Sequence, residues 1–444
     1  MILEEKINSS FSQEIINSMA KESGFCIRKS KFAGFQFLFS LMFAYHRGKH
    51  FSLLDMASFL FRDFRLKITK QSLHDRFNGS AVRFLKKCLD HLMSQKIRYK
   101  GDSNALRSKF SRIRIKDSTK YGLPDSFIGK YGGYGGALKN SSSMISIQYE
   151  YDFLSGQSLD LRLTEAVRND QSDSSGFTHD IRENDLFIRD MGYCTLKFMS
   201  MVDSGKAFFV NRLAPKTNIY AARDSKEPVD VKDYMRKLKK HGLEFMEVEV
   251  FLGKKERIPV RAVISLADED TYQKRIRKTE KQARSTGNKV TEAFRTRVRL
   301  NIMVTNVPVQ MLDAQNIRKV YSIRWQIELL FKVWKSQATI HEFNTCNIHR
   351  FECQLYGKLI WIVLNLNLFN WLQQRIFSKK NYLCSVWKYF KLILNLSDRL
   401  LEAIKTPGKI ILLMDDLAEL APKILKLEEK KDKPSLNQQF MCLA

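Results

Sequence analysis

Apolar residues recur at three- and four-residue spacings through GFQFLFSLMFAY, SLLDMASFLF and AVRFLKKCLDHLM, with Lys and Arg on the remaining faces. Residues 1–105 therefore read as mostly helical. Within them, LKITKQSLHDRF (Leu66 to Phe77) places Thr69 as a cap before a short basic helix. That layout suits a DNA-reading helix, and equally a small helical domain with a solvated basic face. The period changes at Arg112, where RIRIKD alternates apolar and basic residues, and MISIQYEY (144–151) and LDLRLTEAV (159–167) alternate likewise. These are predicted strands. Helix-like and strand-like pieces then interleave through GFTHDIREN, LFIRD, CTLKFMSMV and KAFFVNRL to Leu213, the order of a mixed α/β domain. From Ala214 to about Val320 the rhythm differs: strand-like EFMEVEVFLG, IPVRAVISL and RLNIMVTNV flank a helix-like run from Asp270 to Gly287, which predicts an inserted β-rich subdomain. Helix returns at Ala314 and continues to the end, with a charged tail, LEEKKDKP.

Composition turns this outline toward a class of partner. Lys and Arg number 75 against 47 Asp and Glu, a formal net charge of +28 on 444 residues. With 44% hydrophobic residues and only 20 Gly and 8 Pro, the chain is folded rather than a disordered basic tail, and its length suits about three domains. Such a field attracts polyanions, nucleic acid above all. A membrane is the weaker reading, because the start lacks a basic-then-apolar layout and the best apolar run, Leu359 to Leu372, is broken by Asn365, Asn367 and Asn370. That run is expected to be a buried helix. Seven scattered Cys give no disulfide framework and point to a reducing, cytoplasmic setting. The charge is concentrated between Lys274 and Arg299, with ten Lys or Arg and only Glu280 and Glu292 opposed, which predicts a polyanion contact.

Several patterns are set aside. KYGGYGGALKN (130–140) lacks the phosphate-loop pattern and is expected to be a loop, and Ser141 to Ser143 a turn. His341, Cys346, His349 and Cys353 have zinc-ligand chemistry but no finger spacing, and read as ordinary helix or loop residues.

Three acidic residues stand apart. Asp117 is expected to end the strand RIRIKD and Asp190 the strand LFIRD, and strand carboxyl ends are where α/β sheets bind ligands and metals. In YSIRWQIELLFKVWK, Tyr321, Arg324, Glu328, Lys332 and Lys335 are spaced 3, 4, 4 and 3 apart. On one helix they fall within an arc of roughly 80°. The other positions are mostly large and apolar, so this polar stripe is expected to face an internal cleft. Two strand-end aspartates and a helix glutamate form a ligand set for two Mg²⁺ ions acting on a phosphodiester, with Arg324, Lys332 and Lys335 on backbone phosphates and Tyr321 against sugar or phosphate.

Read as Y-x2-R-x3-E-x6-K, Tyr321, Arg324, Glu328 and Lys335 resemble the signature of the fourth large family of bacterial insertion-sequence transposases, the Asp-Asp-Glu class with an RNase H-like core. IKDSTKYGLP resembles its first-acid block, IRDMGY its second, and MVTNVP its approach to the signature. The separations, 73 residues from Asp117 to Asp190 and 138 to Glu328, leave room for a β-rich insertion. The resemblance implies an α/β fold: an RNase H-like mixed-sheet core (106–213 and 321–375) interrupted by the insertion (214–320), between helical regions at 1–105 and 376–444, the first DNA-binding and the last a possible dimerisation region. It implies that Asp117, Asp190 and Glu328 are catalytic and hold two Mg²⁺ ions, with Mn²⁺ able to substitute, and that Tyr321, Arg324, Lys332, Lys335 and, less strongly, Arg212 contact DNA. The implied partners are transposon-end inverted repeats and target DNA, double-stranded, bound by a homodimer in cut-and-paste transposition. Relatives that cut through a DNA hairpin stack a Trp of the insertion on a flipped base; here no Trp lies between Asp190 and Tyr321, and Phe294 or Tyr272 are the available faces. The competing readings are a catalytically silent transposase-derived DNA-binding protein and an RNase H-like nuclease without strand transfer.

Overall fold

The computed structural model describes residues 2–28, 32–44, 52–97, 109–134, 142–168, 180–285, 287–380 and 382–428. Its elements follow the predicted periods closely. Helices α1 (Ile2–Phe11), α2 (Gln13–Glu22), α3 (Gly34–Phe43), α4 (Leu53–Phe64), α5 (Lys70–His74) and α6 (Gly79–Ser94) come first. Ser52 caps α4, and Thr69 caps α5 by accepting from the Ser72 amide at 3.1 Å, as its position before the basic helix predicts. Next come β1 (Arg112–Gly122), β2 (Met144–Asp152), β3 (Ser158–Glu165), β4 (Asp185–Arg189), α7 (Leu196–Ser204) and β5 (Phe208–Arg212). Residues 214–320 add β6 (Ile219–Tyr220), α8 (Val231–Lys240), β7 (Phe245–Leu252), β8 (Ile258–Leu266), α9 (Glu269–Ser285), α10 (Glu292–Arg299), β9 (Leu300–Thr305) and α11 (Ala314–Ser322). The rest is helical: α12 (Trp325–Ser336), α13 (Ile348–Lys380), α14 (Val386–Asn395), α15 (Ser397–Lys405) and α16 (Lys409–Ile424).

The strands form a mixed nine-stranded sheet in the order β3-β2-β1-β4-β5-β9-β8-β7-β6. β1, β4 and β5 are parallel neighbours, whereas β9, β8, β7 and β6 continue from β5 antiparallel, so the strands of 214–320 extend the sheet. This is the α/β architecture expected, a mixed sheet flanked in sequence by helical regions, and it is consistent with an RNase H-like core. Parts of some expected segments lie outside the described residues: 135–141 of the Gly-rich stretch and the serines, 176–179 of GFTHDIREN, and the tail from 429. The described remainder of GFTHDIREN, Asp180–Asn184, is turn rather than helix.

The chain divides into two compact units, with β1 and α12 each running through a boundary. One unit holds residues 1–106, 118–167 and 326–433. Its centre is α13, buried along most of its length against α3 and α6. Two of the three interrupting asparagines are accommodated, since Asn365 Nδ2 donates to the Trp361 carbonyl at 2.8 Å and Asn370 Nδ2 to that of Gly156 at 2.8 Å. Gly357 lets α3 approach: a Cβ there would stand 2.7 Å from Leu41 Cβ and 2.8 Å from its carbonyl oxygen. Among the described residues, no helix is long and apolar enough to cross a membrane.

The other unit holds 107–117 and 168–325. Phe187, Phe209, Ala262, Ile264, Ile302 and Val304 line one face of its strands and pack against Phe198, Val202, Tyr234 and Leu238 of α7 and α8. β1 is covered on both faces, as suits an interior strand. Arg114 and Lys116 are consequently as buried as its isoleucines: Arg114 stacks 4.8 Å from the Phe187 ring, and the neighbouring Arg112 pairs with Asp185 and Asp180, each at 2.8 Å.

Candidate active site

The two aspartates are set by the register of β1 and β4. Lys116 lies opposite Arg189 in this parallel pair, so the next residues, Asp117 and Asp190, emerge level on strands about 4.8 Å apart. The structure corrects one detail of the expectation. Asp117 does not end its strand, because β1 runs on to Gly122; it marks the point where β4 stops. Asp190 opens a tight turn in which the Tyr193 amide donates to the Asp190 carbonyl at 3.0 Å, and Thr195 then caps α7.

The signature stretch is also divided. Instead of one helix, α11 ends at Ser322, Ile323 and Arg324 form a turn, and α12 begins at Trp325. The Ile323 amide bonds the Val320 carbonyl at 3.1 Å and the Arg324 amide that of Tyr321 at 3.1 Å, so three-residue bonds tighten the bend. Tyr321 thus belongs to α11, Arg324 to the turn, and Glu328, Lys332 and Lys335 to α12.

In the unit that carries the aspartates, Arg324 Nη1 is 3.2 Å from Asp117 Oδ2, both side chains being largely buried. This charge-assisted bond fixes the carboxylate. Arg212, the last residue of β5, is half-buried, and burial lowers its pKa against the opposing influence of Tyr321 and Asp190. Burial raises the Tyr321 phenol to about 12, with Arg324 and Arg212 acting the other way and Asp190 adding to the rise. Asp190, Arg212, Tyr321 and Arg324 are therefore electrostatic neighbours.

In the other unit, α12 buries Ile327, Leu330, Phe331, Val333 and Trp334. Trp334 lies 4.8 Å from the Tyr149 ring of β2 and 5.4 Å from Phe331, which anchors the helix. Glu328, Lys332 and Lys335 share the opposite face. The expectation of a fully internal stripe holds only in part: Lys332 is exposed, its ammonium 5.2 Å from the Trp387 ring, and Trp325 is 54% exposed, whereas Glu328 and Lys335 are half-buried. Lys335 Nζ donates to the Lys120 carbonyl at 3.4 Å, burial lowers its pKa, and among the described residues no carboxylate pairs with it.

The sequence patterns did not single out Arg318, an electrostatic neighbour of Arg275, and took Arg275 only as part of a basic run. Arg318 is one helical turn before Tyr321, and extending the stripe backwards would have found it. Of the ten basic residues from Lys274 to Arg299, four are engaged internally: Arg275 with Val298 and Asn301, Arg295 with Glu280, Arg297 with Thr217, and Arg299 with Glu269. Lys274, Arg277, Lys278, Lys281, Arg284 and Lys289 are exposed. Tyr272, one of the candidate stacking faces, lies under the Arg299 guanidinium at 4.7 Å. Among the described residues, no group of three or more His, Cys, Asp or Glu side chains is gathered to hold a metal, which includes His341, Cys346, His349 and Cys353.

Level aspartates at the end of a parallel strand pair, with guanidinium groups close by, supply hard oxygen donors for a divalent cation and counter-charges for a phosphodiester. They define a class, the enzymes of metal-assisted phosphoryl transfer. The family described as "Transposase DDE domain" matches residues 108–364, more than half of the chain, and the chain belongs to it. It is a DDE transposase of insertion-sequence elements, and as such a DNA-binding enzyme of a family that generally uses divalent metal ions. Similar proteins include the transposase for insertion sequence element IS231C of Bacillus thuringiensis subsp. berliner, 29% identical over 425 residues, covering 92% of this chain and 88% of that protein. The transposase for IS231D of B. thuringiensis subsp. finitimus is 30% identical over 407 residues, with 88% and 84% covered. That for IS1151 of Clostridium perfringens is 27% identical over 404 residues, with 86% and 82% covered.

Proposed function

We propose that the protein is a cut-and-paste transposase of the fourth large insertion-sequence family, in which Asp117, Asp190 and Glu328 are the catalytic, metal-holding triad. The observation that carries this reading is the β1/β4 register, which brings Asp117 and Asp190 out side by side. Glu328 joins them through the Y-x2-R-x3-E-x6-K signature. The chemistry of three carboxylates suits two Mg²⁺ ions or, in substitution, Mn²⁺. When bound, such ions activate the attacking oxygen and stabilise the leaving oxygen of an in-line displacement.

The chain's own residues supply position. Arg324 orients the Asp117 carboxylate. Arg212, Tyr321, Arg324, Lys332 and Lys335 hold backbone phosphates and sugar of the element end, and Lys335, a half-buried ammonium without a carboxylate partner among the described residues, gains its counter-charge from DNA. Water breaks a P–O3′ bond at each end and leaves a 3′-OH. That hydroxyl then attacks a target phosphodiester and releases the target's 3′-oxygen. Both steps displace oxygen at phosphorus, so one site serves both. Within this scheme residues 1–105 bind DNA, 106–213 and 321–375 form the catalytic core, 214–320 are the basic insertion, and 376–444 serve a homodimer acting in the cytoplasm on double-stranded element ends and target.

The test is a strand-transfer assay with a duplex carrying the element's terminal repeat, a supercoiled target plasmid and Mg²⁺. Covalent joining of the end's 3′-OH to the plasmid is expected. Nicking at the end without joining would favour a nuclease, and binding with neither would favour a silent DNA-binding protein.

A further inference from the structure

Three arginines outside the Y-x2-R-x3-E-x6-K signature, Arg212, Arg275 and Arg318, are electrostatic neighbours, and Arg212 is also a neighbour of Asp190. Arg212 closes β5, where it pairs with Met303 of β9. Asn301, two residues along β9, points to the same side of the sheet. Arg275 of α9 reaches that side: its Nη2 is 2.6 Å from Asn301 Oδ1 and its Nη1 3.0 Å from the Val298 carbonyl. Arg318 stands on α11 one turn before Tyr321, and the phenol of Tyr321 is itself a neighbour of Arg212. Arg275 senses both other guanidiniums, and burial together with Arg212 and Arg318 lowers its pKa to about 10, with Asp268 opposing.

Like charges repel, and the donors are not used up. Among the described residues, neither the Arg212 nor the Arg318 side chain forms a hydrogen bond or an ion pair, although Arg212 is half-buried and its guanidinium carries five N–H donors. A half-buried guanidinium without an acceptor carries a desolvation cost that a phosphate oxygen would offset. Arg275, tied to Val298 and Asn301, holds its charge rigidly, and α9 leads away from it with Arg277, Lys278, Lys281 and Arg284 exposed.

We propose that Arg212, Arg275 and Arg318 form a seat for DNA backbone phosphates beside Asp190, from which the duplex continues along the exposed basic face of α9. The inference rests on the proposed function for its choice of DNA as the polyanion. The seat acts before any chemistry, by fixing the strand against the unit that carries the aspartates. Arg318 and Arg275 are positioning residues in this role.

The experiment measures binding alone, with the full-length protein in EDTA and a fluorescent DNA duplex of arbitrary sequence, by anisotropy across a series of KCl concentrations. Arg318→Gln should reduce the slope of log K against log salt by about 0.9, the value of one phosphate contact. Arg318→Lys should retain the slope, and thermal stability should be unchanged in both, because the Arg318 side chain is exposed and, among the described residues, bonds to none. Arg275→Gln should lower both slope and melting temperature, since it also releases Val298 and Asn301. A slope unaffected by Arg318→Gln, or lost equally in Arg318→Lys, overturns the seat. Because no metal is present, this result stands apart from any failure of the triad, which would show only in cleavage.

Discussion

Lys335 and Lys358 are both ammonium groups pressed into low-dielectric surroundings, and they respond in different ways. Lys335 has one weak acceptor, the Lys120 carbonyl at 3.4 Å, and in the proposed function its further partner is a DNA phosphate. Lys335→Ala should weaken binding of end DNA by an amount on the order of 1–3 kcal/mol, measured by titration without metal, while leaving the folded state intact. Lys358 is internal: its Nζ donates to the Thr339 carbonyl at 2.7 Å and that of Glu342 at 2.9 Å, tying down the connection into α13. Burial draws its pKa down to about 7, with Glu342 opposing. The unfolded chain keeps this proton to about pH 10.4, so between roughly pH 7 and 10 unfolding takes up a proton and stability rises with pH. Relative to Lys358→Met, the wild-type protein should gain thermal stability as pH increases through that window and show a constant difference below it. A difference independent of pH throughout would mean that Lys358 stays charged in the fold. At this scale the sequence exposed the residue types of the site, but not their partners. The pairing of Arg324 with Asp117 joins positions 207 apart in the chain, and no local pattern carries that information.

Elements were more legible than contacts, and the exceptions have physical causes. Most of the predicted helices and strands that fall on described residues appear, because their periods are strong. The division between α11 and α12 leaves no mark in the sequence because Ile323 and Arg324 make three-residue bonds without Gly or Pro, which preserves the apolar spacing across the bend. β1 outran its expected end because Thr119 and Tyr121 favour strand even amid polar neighbours. The basic run of α9 was recognised from charge alone, whereas separating its internal from its exposed members required the fold. Replacing exposed Lys274, Arg277, Lys278 and Lys281 with Gln should flatten the dependence of log K on log salt by up to about 3.6, at roughly 0.9 per contact. An unchanged slope would assign this face to solvent. In the helical unit, Gly357→Ala should destabilise by about 1–2 kcal/mol in urea titrations, because overpacking against Leu41 outweighs the better helix propensity of Ala. A stabilised variant would mean that α3 moves aside freely.

At the scale of the whole chain, the proposed function calls on three carboxylates from segments far apart in sequence. The sheet supplies Asp117 and Asp190 by register, and α12 supplies Glu328 from a face whose reverse side is fixed by Trp334, Phe331 and Tyr149. The net charge of +28 brings DNA to this protein, but carboxylates facing phosphate repel it unless a cation lies between. Binding and cleavage should therefore separate cleanly. The most direct measurement is Mg²⁺-dependent nicking of a terminal-repeat duplex, alongside metal-free binding of the same duplex, for Asp117→Asn, Asp190→Asn and Glu328→Gln. The account predicts that each variant loses nicking while binding is retained or slightly strengthened, since a repulsive charge has been removed. Nicking that survives in any of the three, or a loss of binding and thermal stability together with nicking, would contradict the triad.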